Sequence, residues 1–271
     1  MLNTRKITAA CAAIMFGLCF VARVFAQDPT PTPLPQKEKA EAVIAKAVQM
    51  MGGDKYLAVR SQIGKGMFSQ MREGTMLSYQ NFIDVIVFPD KERTEFKGQG
   101  SRIVQTNSGN TGWVYDGDQD VIKVQNPKQV ADFHAGIRTS LDGLLRGYWK
   151  GDAQLSYGGR RPATLGRRND VVKLTYKDGF TVEFEFADDG TPQKSIYKRP
   201  SPDGGDSKEE DRYAQILDVG GVKAAFIVDR YSDGKQASRI NYDSIEYNKN
   251  ISDSWFAKPG STKDAKKEFK N

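Results

Sequence analysis

His134 is the single histidine in the chain, and it is the first candidate for a general base in acid–base catalysis. A hydrolytic triad also needs a serine or cysteine nucleophile, yet the sequence has no Gly-x-Ser-x-Gly turn, and both cysteines lie near the amino terminus. His134 follows Phe133 at the edge of an amphipathic stretch, where a polar side chain has an ordinary structural role. We therefore predict that the protein is not an enzyme and has no catalytic residues.

Asp116, Asp118 and Asp120 alternate in the stretch DGDQD, as aspartates do at the start of a calcium-binding loop. The rest of that loop is absent, because Val121 stands where glycine is required and Pro127 where the bidentate glutamate is required. A hairpin turn accounts for the same residues. Zinc would have only carboxylate ligands, and no glycine-rich phosphate loop is present, so we predict neither a metal nor a cofactor.

The elements that would position any site are mainly strands. In residues 171–259 apolar and polar side chains alternate, so that Val182 and Phe184, for example, share one side of a predicted strand. Turns such as Asp178-Gly179 separate consecutive segments, because glycine tolerates the positive φ of tight hairpins. The pattern predicts an antiparallel meander with one continuous apolar face.

Two amphipathic helices are predicted to accompany the strands. Apolar residues repeat at helical spacing over residues 40–51, and Gly52-Gly53 follows as a stop signal. The second helix begins with Asn126 as its cap and Pro127 in its first turn, and its apolar stripe continues to Tyr148. A helix of this kind can pack on the apolar face of the sheet or act as a lid over it.

Residues 1–26 form a predicted signal peptide, with a basic start, an apolar run and a cleavage site after Ala26. Residues 27–36 are a predicted proline-rich linker, and residues 257–271 are a predicted polar, disordered tail. The predicted mature chain has no cysteine and therefore no disulfide, and it is only weakly basic. The signal peptide predicts a periplasmic protein. The basic residues of the predicted mature chain are dispersed, so we predict no nucleic-acid partner.

Residues 42–259 resemble proteins related to the lipoprotein carrier LolA. The stretch AVIAKAVQMMGGDKYLAVRSQIGKGMF is similar to a family pattern in which a helix ending in Gly-Gly leads into the first strand. The end of the chain is similar to the closing strands of the family, where a Gly-Val hairpin precedes a strand ending in Asn, an Asp-x-x-Phe and a Pro. The matching residues here are Gly221-Val222, Asn248, Asp253, Phe256 and Pro259.

The resemblance implies a mainly β (α+β) fold over residues 37–256. Its architecture is a single curved antiparallel sheet or incomplete β-barrel, with amphipathic helices on the concave face. In this lipoprotein-sorting superfamily, which includes LolA, LolB and RseB relatives, sheet and helices enclose an apolar cavity for acyl chains. The resemblance therefore implies an exported, non-enzymatic binder or carrier of acyl chains. Its expected partners are acylated lipoproteins or lipids, with an envelope membrane protein as a further candidate.

Candidate cavity residues are the apolar positions that strand alternation and helical spacing place toward one interior. They are Leu77, Ile83, Val85, Ile137, Leu141, Leu144, Val172, Leu174, Val182, Phe184 and Phe226. Two alternatives stay open. The cavity could serve an envelope sensor or interaction module that reads lipid or lipoprotein and signals to a partner protein. Helices and sheet could also pack into a filled core without a ligand.

Overall fold

The structure, a computed structural model, describes residues 36–98, 100–201 and 204–269. The predicted signal peptide and residues 27–35 of the predicted linker lie outside these ranges. Within them, thirteen strands form one antiparallel sheet, which confirms the predicted mainly β fold. The strands are β1 (Ser61–Arg72), β2 (Thr75–Val87), β3 (Lys91–Gly98), β4 (Ser101–Ser108), β5 (Thr111–Asp116), β6 (Val121–Val124), β7 (Ala153–Pro162), β8 (Arg168–Tyr176), β9 (Thr181–Phe186), β10 (Pro192–Pro200), β11 (Asp206–Val219), β12 (Val222–Ser232) and β13 (Lys235–Tyr247).

The sheet is the predicted meander, built from two runs of consecutive strands. Strands β1 to β6 are hydrogen-bonded in sequence order, and so are strands β7 to β13. The two runs join where the first strand pairs with the last, for example at Phe68 and Ile240. Strands β6 and β7 are therefore the two edges, and the sheet described is open.

The helices occupy the connections and the two ends of the described chain. They are α1 (Gln36–Met51), α2 (Asp54–Leu57), α3 (Pro127–Thr139), α4 (Leu141–Leu145) and α5 (Thr262–Ala265). Helix α1 ends as predicted at Gly52-Gly53, where both residues have positive φ. A Cβ atom on Gly52 would lie 2.5 Å from the carbonyl oxygen of Gly221. Glycine is therefore required for the helix end to approach the β11–β12 turn this closely.

Helix α3 begins with the predicted cap and does not continue as predicted. The Asn126 side chain accepts a hydrogen bond from the Gln129 amide, and the Gln129 side chain accepts one from the Asn126 amide, both at 2.9 Å. The prediction of a continuous stripe to Tyr148 is wrong, because Ser140 is extended and separates α3 from α4. The Ser140 hydroxyl accepts a 2.9 Å hydrogen bond from the Gly143 amide and so caps a new helix.

One face of the sheet, which we call the helix face, packs against α1 and α4. Its core includes Val172, Leu174, Val182 and Phe184 from β8 and β9, all 0% exposed. Leu144 of α4 lies in the same core and is 1% exposed. These alternating strand positions form the apolar face that the sequence predicts, and helices cover this part of it.

The contacts of α3 show that the sheet is strongly curled. His134 Nε2 lies 3.1 Å from Asn110 Oδ1 in the β4–β5 turn, and Arg138 donates two 2.8 Å hydrogen bonds to Asp178 in the β8–β9 turn. In a flat sheet β4 and β9 would be eight strand spacings apart, which is about 40 Å. Two side chains four residues apart on one helix cannot span that distance. The sheet therefore curls around the helix face, which is its concave face.

The opposite face of β1 to β5 is covered by residues 250–269, which we call the strap. Phe256 and Phe269 pack with Val85, and Ala265 of α5 packs with Trp113. Ala265 is fully buried, and Phe269 is 8% exposed. The predicted disordered tail is thus wrong for residues 257–269, the part that the structure describes.

Polar groups of the strap find partners on the sheet, which is why its polar composition does not prevent packing. The buried Glu95 carboxylate accepts a 3.1 Å hydrogen bond from the Phe269 amide, and it also binds Arg93 and Arg102. Arg102 donates to the carbonyl oxygen of Lys267 at 3.1 Å. A few apolar side chains and these backbone hydrogen bonds hold the strap.

Candidate ligand-binding site

The two faces can be followed across the whole sheet, because residues paired in an antiparallel ladder lie on the same side. The series of pairs that starts at Phe184 in β9 continues through Ser195, Asp211, Arg230, Ser238 and Gln70. Alternation along β1 and β2 then places Phe68 and Phe82 on the helix face, and Ile63 and Val85 on the strap face.

Eight of the eleven predicted cavity residues lie on or above the helix face. Five of them are the buried residues of the core beneath α1 and α4: Leu144, Val172, Leu174, Val182 and Phe184. Leu141 is half-buried against that core, and Ile137 is half-buried on α3. Phe226 is half-buried further along the sheet, with its ring 6.5 Å from that of Tyr242.

The other three predicted residues do not share this face. Ile83 and Val85 pack under the strap, and Leu77 is 51% exposed near the β1–β2 turn. The expectation that β2 contributes these positions to the concave interior is therefore wrong. Strand β2 is apolar on both sides, with Phe82 and Ile86 alternating against Ile83 and Val85. Its sequence pattern therefore cannot show which of the two sets faces the concave side.

Four aromatic rings that the sequence analysis missed lie with Phe226 on the concave face. We call the five rings the aromatic wall: Phe68, Phe82, Phe96, Phe226 and Tyr242. The ring centroids of Phe82 and Tyr242 are 5.3 Å apart, and those of Phe68 and Phe96 are 5.8 Å apart. All except Phe82 are half-buried, and none belongs to the core beneath α1. The wall therefore presents apolar surface to the interior of the curl.

A glycine in β1 is the sequence signal that could have revealed part of this wall. A Cβ atom on Gly64 would lie 2.4 Å from the ring of Tyr242. Glycine within a strand often marks a place where another group approaches the backbone closely. Here the missing side chain leaves room for the Tyr242 ring over Gly64, next to its ladder partner Asp84.

Two carboxyl groups, Asp84 and Glu92, lie beside the wall, and we call them the acidic pair. The Thr94 hydroxyl lies 2.8 Å from Asp84 Oδ1 and 3.3 Å from Glu92 Oε1. Burial, and then the charge of Glu92, raises the pKa of Asp84 well above its usual value. Burial also raises the pKa of Glu92. Arg230 lies on the same face and forms its ion pair with Asp211 at 3.7 Å.

Helix α3 lies over this face and is held mainly by polar contacts. Thr139 is its one buried residue, whereas Val130, Phe133 and Ile137 are half-buried. Arg138 also stacks on the ring of Tyr176, 3.8 Å from its centroid. The hydrogen bonds from Arg138 lower the pKa of Asp178 to about 2. A helix with so little buried apolar surface can move without disrupting the core.

The groups considered for catalysis or metal binding have structural contacts. His134 is part of the α3 contact with Asn110, which agrees with the structural role predicted for it. Asp116 accepts hydrogen bonds from the Asp118 and Gln119 amides, both at 3.1 Å, so DGDQD forms a hairpin turn. Among the described residues, no group of three or more histidine, cysteine, aspartate or glutamate side chains could hold a metal ion. In the same ranges, no helix has the length and apolar character needed to cross a bilayer.

The fold described here is shared with solved structures that include a LolA superfamily protein, which agrees with the resemblance found in the sequence. One similar structure is a LolA superfamily protein from Nitrosomonas europaea, with a TM-score of 0.53 and 13% identity, covering 81% of this chain and 97% of that one. A second is an outer membrane lipoprotein-sorting protein domain from Vibrio parahaemolyticus, with a TM-score of 0.52 and 9% identity, covering 80% and 97%.

A third similar structure is a DUF1329 family protein from Desulfovibrio piger, with a TM-score of 0.57 and 13% identity, covering 80% of this chain and 97% of that one. No protein-family model matches the chain, and no curated protein matches its sequence. At these identities the likeness establishes a shared fold and nothing more specific.

Proposed function

We propose that the protein is an exported, non-enzymatic binder or carrier of acyl chains, which it holds on the concave face beneath α3. The observation that carries this proposal is the aromatic wall, which lies inside the curl and outside the packed core. Ordinary cores are close-packed, whereas ligand cavities keep accessible apolar walls with a few polar groups. The predicted signal peptide supports a periplasmic location. The partners proposed are acylated lipoproteins or lipids, and an envelope membrane protein that delivers or receives them.

Burial of a chain against the wall supplies enough free energy for binding. Each buried methylene contributes about 0.8 kcal/mol, so a twelve-carbon chain gains roughly 9–10 kcal/mol before the costs of association. In this proposal Ile137 and Leu141 contact the acyl chain together with the wall, which includes Phe226. The buried residues of β8 and β9 form a rigid floor next to it.

Helix α3 is the proposed lid, because its attachments are polar and peripheral. The Asp178 side chain is 58% exposed, and exposed ion pairs contribute only about 0–1 kcal/mol to stability. Opening the helix would expose the half-buried Val130, Phe133 and Ile137 and leave the core beneath α1 intact. A carrier needs this arrangement, since it must release its ligand as well as hold it.

The proposal is tested with delipidated protein, a fluorescent fatty acid and a fluorescent lipopeptide. We expect saturable uptake of at least one of them, and a several-fold weaker affinity for Phe226→Ala because a ring of the wall is removed. Tyr79→Ala is the matched control, since it removes a 55% exposed ring from the strap side of β2. Absence of uptake of both probes would overturn the proposed function.

A further inference from the structure

The acidic pair has fewer partners than buried carboxylates normally have, because in the described ranges the Thr94 hydroxyl is the one hydrogen-bond donor that reaches either group. Asp84 is 7% exposed, and within the described ranges its Oδ2 atom has no hydrogen-bond partner. In the same ranges neither Asp84 nor Glu92 has a cationic side chain within ion-pair distance. Burial raises the pKa of both carboxyl groups and the charge of Arg230 partly offsets this, but the ion pair that Arg230 forms, at 3.7 Å, is with Asp211. A buried carboxylate without a cation is costly, and it stays neutral or binds a positive group.

The position of the pair suits a ligand better than a role in packing. Asp84 pairs with Gly64 across the β1–β2 ladder, and the Tyr242 ring lies over Gly64. Tyr242 in turn contacts Phe82 and Phe226 of the wall. Carboxylates next to aromatic rings recognise ammonium groups, because the charge of the carboxylate and the faces of the rings both attract a cation.

We infer that the acyl-bearing ligand also carries a protonated amine or ammonium group, bound by the acidic pair and the ring of Tyr242. This inference rests on the proposed function and specifies its ligand as a cationic amphiphile. The apolar chain lies along the aromatic wall, and the amine donates to Asp84 Oδ2 and to the carboxylate of Glu92. Thr94 is a positioning residue, since its hydroxyl lies 2.8 Å from Asp84 Oδ1, to which its single proton is donated, and 3.3 Å from Glu92 Oε1.

The test compares three probes of equal chain length on the delipidated full chain at neutral pH by isothermal titration calorimetry. The probes are dodecylamine, which is protonated, dodecanol, which is neutral, and dodecanoate, which is anionic. We expect the amine to bind at least about tenfold more tightly than the alcohol, as charge-assisted hydrogen bonds require. Dodecanoate should bind more weakly than both.

Two substitutions locate the effect. Asp84→Asn and Glu92→Gln keep the side-chain shape, and each should reduce the affinity for dodecylamine about tenfold while leaving that for dodecanol unchanged. Glu183→Gln is the matched control, since Glu183 lies on the opposite face of β9 in an ion pair with Arg161. Circular dichroism of each variant confirms folding, and the selectivity of the unmodified protein requires no variant.

The outcomes separate this inference from the proposed function. If dodecanol binds and the amine has no advantage, the ammonium site is wrong and the acyl-binding function stands. Equal losses for amine and alcohol in Asp84→Asn would also overturn it, because they would indicate a structural role. If none of the three probes binds, both the function and the inference are wrong.

Discussion

Replacing Phe269 with alanine will show whether the strap is part of the cooperative fold. Phe269 is 8% exposed, and its ring centroid lies 5.0 Å from that of Trp255. A buried aromatic side chain removes roughly 150–250 Å² from water, which corresponds to roughly 4–6 kcal/mol at about 25 cal/mol per Å². The end of the strap can relax into the space left by the ring. We therefore expect the free energy of unfolding to fall by about 3 kcal/mol, the lower end of measured phenylalanine truncations.

Urea denaturation followed by tryptophan fluorescence measures this change. Trp255 belongs to the strap and Trp113 packs beneath it, whereas Trp149 packs on the helix-face core. A single transition at lower urea, with an unchanged slope, is the expected result because the strap and the sheet unfold together. Tyr79→Ala removes an exposed ring near the same face and should change stability by less than about 0.5 kcal/mol. A loss of under about 1 kcal/mol for Phe269→Ala would refute the cooperative strap.

Two further predictions concern the lid and the acidic pair. Asp178→Asn removes the charge that binds Arg138, so hydrogen exchange of the α3 amides should become faster while global stability changes by less than about 1 kcal/mol. Unchanged exchange would exclude this ion pair as a latch. In the ligand-free protein the pKa of Asp84 is raised, so the folded state keeps this carboxyl group protonated to a higher pH than the unfolded chain does. The free energy of unfolding should therefore fall as pH rises from about 4, the unfolded pKa, through the folded pKa. Asp84→Asn should therefore lessen the fall in stability between acidic and neutral pH, with Glu92 and Arg230 still present, and urea midpoints at several pH values will show it. If the stability of Asp84→Asn falls as steeply with pH as that of the unmodified protein, Asp84 is not the group whose pKa is raised.

Local patterns predicted the elements of this fold well. Alternation in residues 171–259 and turns such as Asp178-Gly179 predicted the meander. Tight hairpins require particular turn residues, and a single apolar face requires alternation of apolar and polar residues, so both can be recognised in a sequence. The capping box at Asn126 and Gln129 and the stop at Gly52-Gly53 are equally local. These features depend on a few neighbouring residues, so a single sequence contains them.

Features that depend on distant partners could not be predicted in the same way. Which side of β2 faces the concave interior depends on the segments that cover each face. Phe82 and Val85 lie on opposite sides and are both apolar, so alternation alone does not distinguish them. The strap packs through backbone groups that meet Glu95 and Arg102, which composition cannot indicate. The acidic pair is assembled by the β2–β3 ladder, since Thr94 pairs with Asp84. Within the sequence these residues have no sign of a common site.

The pairing of the first strand with the last also determines when the fold can be completed. All other ladders in the described sheet join consecutive strands, whereas β1 and β13 meet across nearly the whole domain. Local hairpins form quickly, and contacts distant in sequence form late. When the chain emerges with its amino terminus first, the outer edge of β1 stays unpaired until β13 is available. Unpaired strand edges can pair with strands of other chains. Aggregation is thus most favoured before the two runs of strands, β1 to β6 and β7 to β13, have joined. A chaperone that binds the chain at this step would protect it most.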